Sequence, residues 1–363
     1  MSPSLFLWIT LSHAVPCLLV AFLLWILPTR THPELFFAVT VDAAHRDSPA
    51  GRETLARYRR GVAGSTAVAM ALVAAGYLLR NLLLGSAAIV ALSAGAMMAF
   101  ASGRRRTLPF AVTPSTRREA GLAPRPSGDG RAGVGMMLGP FVLLTAVATV
   151  LLARWETLPE RFPVHWGMAG QPDRWGTRTP AMVLGPLVFG ALLTGLILAV
   201  GMAGTRGVRR TAAEGGRSQR ERAVLRLVWR ALLGAAWMIA LIFAVVGAIP
   251  FLSPILGSGG LLTLILVVAF GGTAALLVGI AVAVARLPAR LPSDGPPRGD
   301  LTPDRCWRWG LFYANPDDPA VWVEKRFGIG YTLNLGRPAG RFTLLALLAS
   351  PLLIAALALL LLR

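Results

Sequence analysis

The sequence predicts an all-α integral membrane bundle of about eight transmembrane helices, with both termini outside and a small β-hairpin in the last cytoplasmic loop. Three observations lead there. Of 363 residues, 55% are hydrophobic and only 15% charged, with a mean hydropathy of +0.62; an ordinary soluble domain is about 25% charged. Eight stretches free of acids, lysine and arginine approach the roughly 20 apolar residues that a helix needs to cross a bilayer core. The intervening loops alternate in charge, with thirty Lys and Arg on one side and six on the other.

The eight stretches are Leu5–Leu27, Gly61–Leu79, Leu82–Ser102, Gly133–Ala153, Ala181–Ala203, Ala231–Ile249, Leu261–Ala285 and Phe342–Leu362. The first has no basic residue before it, the first arginine being Arg30, and no small-x-small site follows, so it reads as a retained helix rather than a signal peptide. The second and third carry small residues at every fourth position, Ala63, Ala67, Ala71 and Ala75, then Ala87, Ala91, Gly95 and Ala99. Such stripes let helix backbones approach closely in lipid. With only Arg80-Asn81 between them, they predict a tight antiparallel hairpin packed on those stripes.

The positive-inside rule places the thirty basic residues in the cytoplasm. Those loops hold 14 acids, for a net +16, and the outer side holds 3, for a net +3. The overall charge of +19 is therefore an orientation signal, and no nucleic-acid partner is expected. A single Lys beside 35 Arg suggests a GC-rich bacterial genome and a multi-pass protein of the bacterial cytoplasmic membrane. Cys17 in a span and Cys306 in a cytoplasmic loop predict no disulfide.

The chain divides into a three-helix region with basic loops (1–132), a two-helix unit with a distinctive outer loop (133–205), a second two-helix region (206–290), a cytoplasmic hairpin domain (291–341) and a last helix (342–363). In the first cytoplasmic loop an apolar run, Phe36–Val41, precedes a basic segment, Arg52–Arg60, expected as an interfacial helix. This loop is expected to meet the hairpin of the last one. Gly103–Ala132 reads as solvated and, from its Pro, Gly and Arg content, disordered. Thr205–Arg230 reads as solvated, turning helical from Gln219.

Ionisable groups inside the spans are scarce. His13 lies in the first span with no charged partner there, which favours a neutral imidazole bonded to a hydroxyl or backbone over a proton or ligand site. No Asp or Glu sits in any span, which counts against a cation-coupled transporter.

Two loops carry unusual sequence. The outer loop runs from Leu158-Pro159 to Gly176 and includes Pro163, His165, Trp166, Gly170, Pro172, Asp173, Trp175 and Gly176. Its prolines bias the backbone towards extended conformations and its glycines permit tight turns. Trp166 and Trp175 suit a membrane interface. His165 and Asp173, eight apart across these turns, can meet; Glu156 and Glu160 are the only nearby candidates to extend them to a metal site. The favoured reading is a scaffold or recognition loop.

This block resembles the signature of a bacterial membrane-protein domain of unknown function: a helix, Leu-Pro, Pro-x-His-aromatic, Gly-x-Pro-Asp-x-aromatic-Gly, and a helix. The resemblance covers roughly residues 135–205. The best-understood relatives are similar to the sporulation-delaying-toxin immunity family. The resemblance implies a role in immunity or signalling, with an extracellular peptide or toxin and a cytoplasmic regulator as partners.

The last cytoplasmic loop holds a dense turn signal, Asn315, Pro316, Asp317, Asp318 and Pro319, flanked by aromatic and β-branched residues that read as short strands around it. Lys325, Arg326, Phe327, Gly328, Gly330 and Asn334 follow. No Gly-Lys-Ser/Thr phosphate loop is present. Residues 307–336 resemble a second small domain of unknown function found at the end of such proteins. The expected form is a β-hairpin on the inner membrane face, with Lys325 and Arg326 near lipid phosphates.

Four scattered histidines without metal spacing, and no visible nucleophile–base pair, argue against an enzyme or a cofactor. The leading expectation is a non-enzymatic immunity or signalling protein in contact with the lipid bilayer. The alternative is a transporter or permease for a small or lipid-like substrate.

Overall fold

The computed structural model describes residues 3–32, 34–113, 130–167, 170–208, 219–287 and 302–361. The chain is a multi-pass helical membrane bundle. Seven helical stretches among these residues are long and apolar enough to cross a bilayer. They are built from α1 (Pro3–Arg30), α2 (Pro49–Leu78), α3 (Leu82–Thr107), α4 (Gly130–Ala153), α5 (Pro180–Val208), α6 (Gln219–Gly247) and the continuous run of α7 (Ile249–Leu266), a π turn (Val267–Gly271) and α8 (Gly272–Ala285). A further apolar helix, α9, covers Pro338–Leu361. Prolines sit inside α1, α4, α5, α7 and α9, as bilayer helices tolerate when their neighbours re-satisfy the freed backbone groups.

The two ends of the bundle differ. At one end lie the turn between α2 and α3, the loop between α4 and α5, and the start of α7. The basic loops gather at the other, where residues of the first loop touch residues of the last. That grouping follows the charge alternation of the sequence. Residues 114–129, the core of the segment expected to be disordered, lie outside the described residues, as do residues 209–218 of the next basic loop.

The helical pair α2–α3 forms as expected. Ser48 caps α2 by accepting from Gly51 N, Arg80 takes a left-handed φ of 50° in the turn, and Asn81 caps α3 by accepting from Leu83 N. The basic segment Arg52–Arg60 is helical and feeds the second span without a break, as the first turns of α2. The seam follows one of the two expected stripes. On α3, Gly95 and Ala99 face α2: a Cβ on Gly95 would press into Ser65 at 2.4 Å, and one on Gly61 into Ala99 at 2.8 Å. On α2, Ala63, Ala67 and Ala71 are exposed, and Gly61 and Ser65 make the contact instead. Ala69, Val73, Ala88 and Leu92 are buried in a cluster with Cys17 and Ala21 of α1. Alanine is common throughout the chain, so its fourfold spacing on α2 did not mark the contact face.

The ring nitrogens of His13 lie 3.4 Å from the hydroxyls of Ser12 and Ser86, with the ring packed near Gly85 of α3.

α7 begins directly after α6, so the segment expected as an outer loop from Pro250 to Gly260 is itself helical, broken at Gly257 (φ 63°, ψ 174°). That left-handed φ costs a Cβ-bearing residue about 1–2 kcal/mol.

The strands form four two-stranded antiparallel hairpins among the described residues. They are β1 (Leu35–Phe36) with β2 (Val39–Thr40), β3 (Arg161–Trp166) with β4 (Pro172–Thr177), β5 (Trp307–Arg308) with β6 (Phe312–Tyr313), and β7 (Trp322–Glu324) with β8 (Tyr331–Leu333). Isolated hairpins are marginal in water, so each depends on what it packs against.

Candidate functional site

The outer loop is the β3–β4 hairpin. Its register pairs Phe162 with Gly176 and Pro163 with Trp175, then slips at two bulges so that His165 faces Arg174 and Trp166 faces Pro172. Side chains alternate across a strand, and here one face goes down. Leu158 and Phe162 are buried in a core with Val183, Leu187, Ile249 and Leu261. Pro163 and Gly176 are buried too, and a Cβ on Gly176 would press into Val164 at 2.7 Å, so glycine is needed for the strands to close. Gly170 is buried and takes a φ of 74° in the turn, where Gly167 N donates to Gln171 O at 2.9 Å. Trp166 is half-buried, and its indole N–H donates to Ser258 O at 3.1 Å, beside the break in α7. This indole tethers the hairpin to α7. Arg178 closes the base of the hairpin by donating to Trp155 O at 2.7 Å.

The other face is open. His165 Nδ1 lies 2.6 Å from Asp173 Oδ1, with both side chains about half exposed (55% and 52%). A carboxylate oxygen accepts, so in this bond Nδ1 is the donor. Trp175 is 55% exposed, and Pro172 is half-buried at the rim. Glu156 lies against Arg178 at 3.5 Å instead of joining His165, and no three metal-ligating side chains group together among the described residues. The arrangement offers a carboxylate-oriented imidazole and an indole on a fixed surface, suited to hydrogen bonding and stacking.

The inner loop is built differently from the expected single hairpin. Asn315–Pro319 does not tip a hairpin: it links β6 to β7, each of which pairs with another strand. A parallel bridge from Tyr313 to Asn334 joins the two hairpins. Asn334 is fully buried and is the hub. Its Oδ1 accepts from Asn315 N and Gly336 N at 2.9 and 3.0 Å. Its Nδ2 donates to the carbonyls of Asn315, Asp318 and Ala320 at 2.8, 3.1 and 3.1 Å. Asp318 accepts from Ala320 N and from the Tyr313 hydroxyl, each at 2.9 Å. Burial pushes the Tyr313 phenol well above its ordinary value, which keeps it a donor. Asn315 caps the turn by accepting from Asp317 N, leaving Pro316, Asp317 and Pro319 exposed. Gly328 and Gly330 take φ of 101° and 106° in the β7–β8 turn.

The basic pair of this turn splits. Lys325 is exposed, but Arg326 is 1% exposed and does not reach lipid phosphates. Its guanidinium bonds Asp304 and the carbonyls of Thr302 and Ala38, and lies 5.2 Å over the Trp307 ring. Asp304 also accepts from the Thr40 hydroxyl at 2.7 Å, and Arg104 from the end of α3 donates to Ala38 O at 2.7 Å. Next to this polar junction, Phe327 packs on Phe100 (ring centroids 4.4 Å) and stacks on Phe37 (6.0 Å). The first and last loops meet here, as expected. Asp304, Thr302, Arg104 and the β1–β2 turn at Phe37-Ala38 were not singled out in the sequence. The available signal was an apolar Phe36–Val41 run inside an otherwise basic loop.

Residues 141–190 match a domain of unknown function (DUF1648), and residues 316–341 match a family of unknown function (DUF5808). The first match runs from the middle of α4 through the outer hairpin into the start of α5; the second runs from the Asn315–Pro319 turn through Arg326 and Asn334 into α9. No curated protein and no solved structure matches the chain.

Proposed function

We infer that this integral membrane protein is a non-enzymatic envelope protein of the immunity and signalling kind. In this reading the outer hairpin receives an extracellular peptide and the inner end answers to a cytoplasmic regulator. The observation that carries it is the two-faced outer hairpin: its buried face is held by Phe162 and the Trp166–Ser258 bond, and its open face presents His165, Asp173 and Trp175. An exposed indole beside a hydrogen-bonding pair suits a peptide surface, because a Trp side chain supplies large contact area at low conformational-entropy cost. Challenging a deletion strain with a panel of membrane-active peptides tests this. The expected result is sensitivity to at least one peptide, restored by the wild-type gene and not by His165→Ala or Trp175→Ala at equal protein level. Unchanged resistance across the panel would sink the reading.

Transport is the second reading. The break at Gly257, the π turn Val267–Gly271 and a cavity of about 220 Å³ between α1 and that turn favour it, since interrupted helices commonly line transport sites. Flux of a candidate solute in proteoliposomes, lost when Gly271→Leu fills the cavity, would support transport over immunity.

A further inference from the structure

The outward face of the α2–α3 pair is not filled. Between its ridges the pair leaves an open groove of about 630 Å³. Its floor is small: Gly64 has nothing within 4 Å of where a Cβ would sit, and Gly95 packs on Ser65. Val68 and Met98, 55% and 68% exposed, form its walls. The groove runs along α2 from Thr54 to Val68, about 21 Å at 1.5 Å per residue. That is the reach from headgroup level to about the middle of a bilayer core roughly 30 Å thick.

Its two ends differ in chemistry. The deep end is apolar. The shallow end is lined by Arg57 and Arg106, with Arg105 in the adjoining hollow. Arg52 and Arg60 are exposed on the same turns of α2. Glu53 is the carboxylate nearby, and it is held by Arg57 at 2.6 Å. A groove facing hydrocarbon must be occupied by something apolar along its length, and this one ends in excess positive charge.

We propose that the α2–α3 groove is a binding site for one anionic phospholipid of the leaflet on the basic side, with an acyl chain along Gly64 and Gly95 and its phosphate on Arg57 and Arg106. Juxtamembrane arginines attract anionic headgroups at the cytoplasmic surface, and the fit here adds a shaped slot for the chain. This site is separate from the peptide surface of the outer hairpin.

Native mass spectrometry of the full-length protein in detergent, titrated with phosphatidylglycerol or phosphatidylcholine, tests it. One phosphatidylglycerol should be retained, preferred over phosphatidylcholine by about tenfold or more. Gly64→Leu should abolish retention of both lipids, because its side chain enters open space in the groove and leaves the helix packing alone. Gly279→Leu, another position with nothing within 4 Å, should not change retention. The double variant Arg57→Gln/Arg106→Gln should keep lipid but lose the headgroup preference. Equal retention in Gly64→Leu and Gly279→Leu would overturn the proposal. So would equal affinity for the two lipids, displacement by inorganic phosphate alone, or a wild-type dimer that Gly64→Leu dissociates, which would make a second copy the occupant.

Discussion

The outer hairpin and the inner module are both short-stranded, turn-rich and aromatic, yet they are held in opposite ways. The outer hairpin keeps its His165–Asp173 pair in solvent and is tethered through one indole bond and the apolar underside of one strand. The inner module turns its most polar residues inward: Arg326 and Asn334 are 1% and 0% exposed, and each bonds several backbone carbonyls. The contrast separates a surface that is free to be read from a junction whose polar groups are consumed in holding three chain segments together. Motif density alone does not distinguish the two; the destination of each polar atom does.

The largest effect that would break this contrast is at Arg326. Replacing it with Met leaves the partly exposed Asp304 without its guanidinium and the Thr302 carbonyl without its donor, and lost hydrogen bonds to a charged group cost about 1.5–3 kcal/mol each. A fall in melting temperature of the detergent-solubilised protein checks this, and an unchanged value would show that the junction is not holding the inner end. Asn334→Ala comes next. It strands Asn315 N and several carbonyls, with an expected loss of about 2–3 kcal/mol read in the same assay. Trp166→Phe should cost about 1 kcal/mol, by losing one hydrogen bond to Ser258 O, and should raise proteolysis within the outer hairpin alone.

Two smaller effects sharpen the comparison. His45 packs on Phe110 at the inner end, and burial lowers its pKa against the weaker opposing pull of Asp42. The unfolded chain therefore binds the proton more readily, so stability falls as pH drops through the ordinary imidazole range. Hydrogen exchange of β1–β2 should accelerate on acidification, and His45→Phe should remove that dependence. His165→Ala should leave stability within about 0.5 kcal/mol, because both partners are half exposed. A larger loss would make the outer pair structural.

The spans were legible because hydropathy is summed over about 20 residues and tertiary context hardly alters it. The His165–Asp173 pair was legible because its partners are eight residues apart across turns that the glycines and prolines announce. Arg326 was misread because, in sequence, a buried arginine looks the same as one that sets orientation, and its partners are 22, 24 and 288 residues away. The Asn315–Pro319 turn was recognised, but strand pairing is non-local, and the strands on either side pair elsewhere. The alanine stripe of α2 misled because small residues permit close contact without requiring it.

The bond from Arg326 to Ala38 O spans almost the whole chain, and this sets an order of events during synthesis. α1 to α3 leave the ribosome first and can bring Phe37 against Tyr58 and Phe100, but the Asp304 that bonds Thr40 and the Phe327 that stacks on Phe37 emerge only near the end. Until then an aromatic cluster waits open at the basic end. A chain truncated before residue 304 would keep that cluster uncovered, giving membrane proteases a handle that the finished protein conceals.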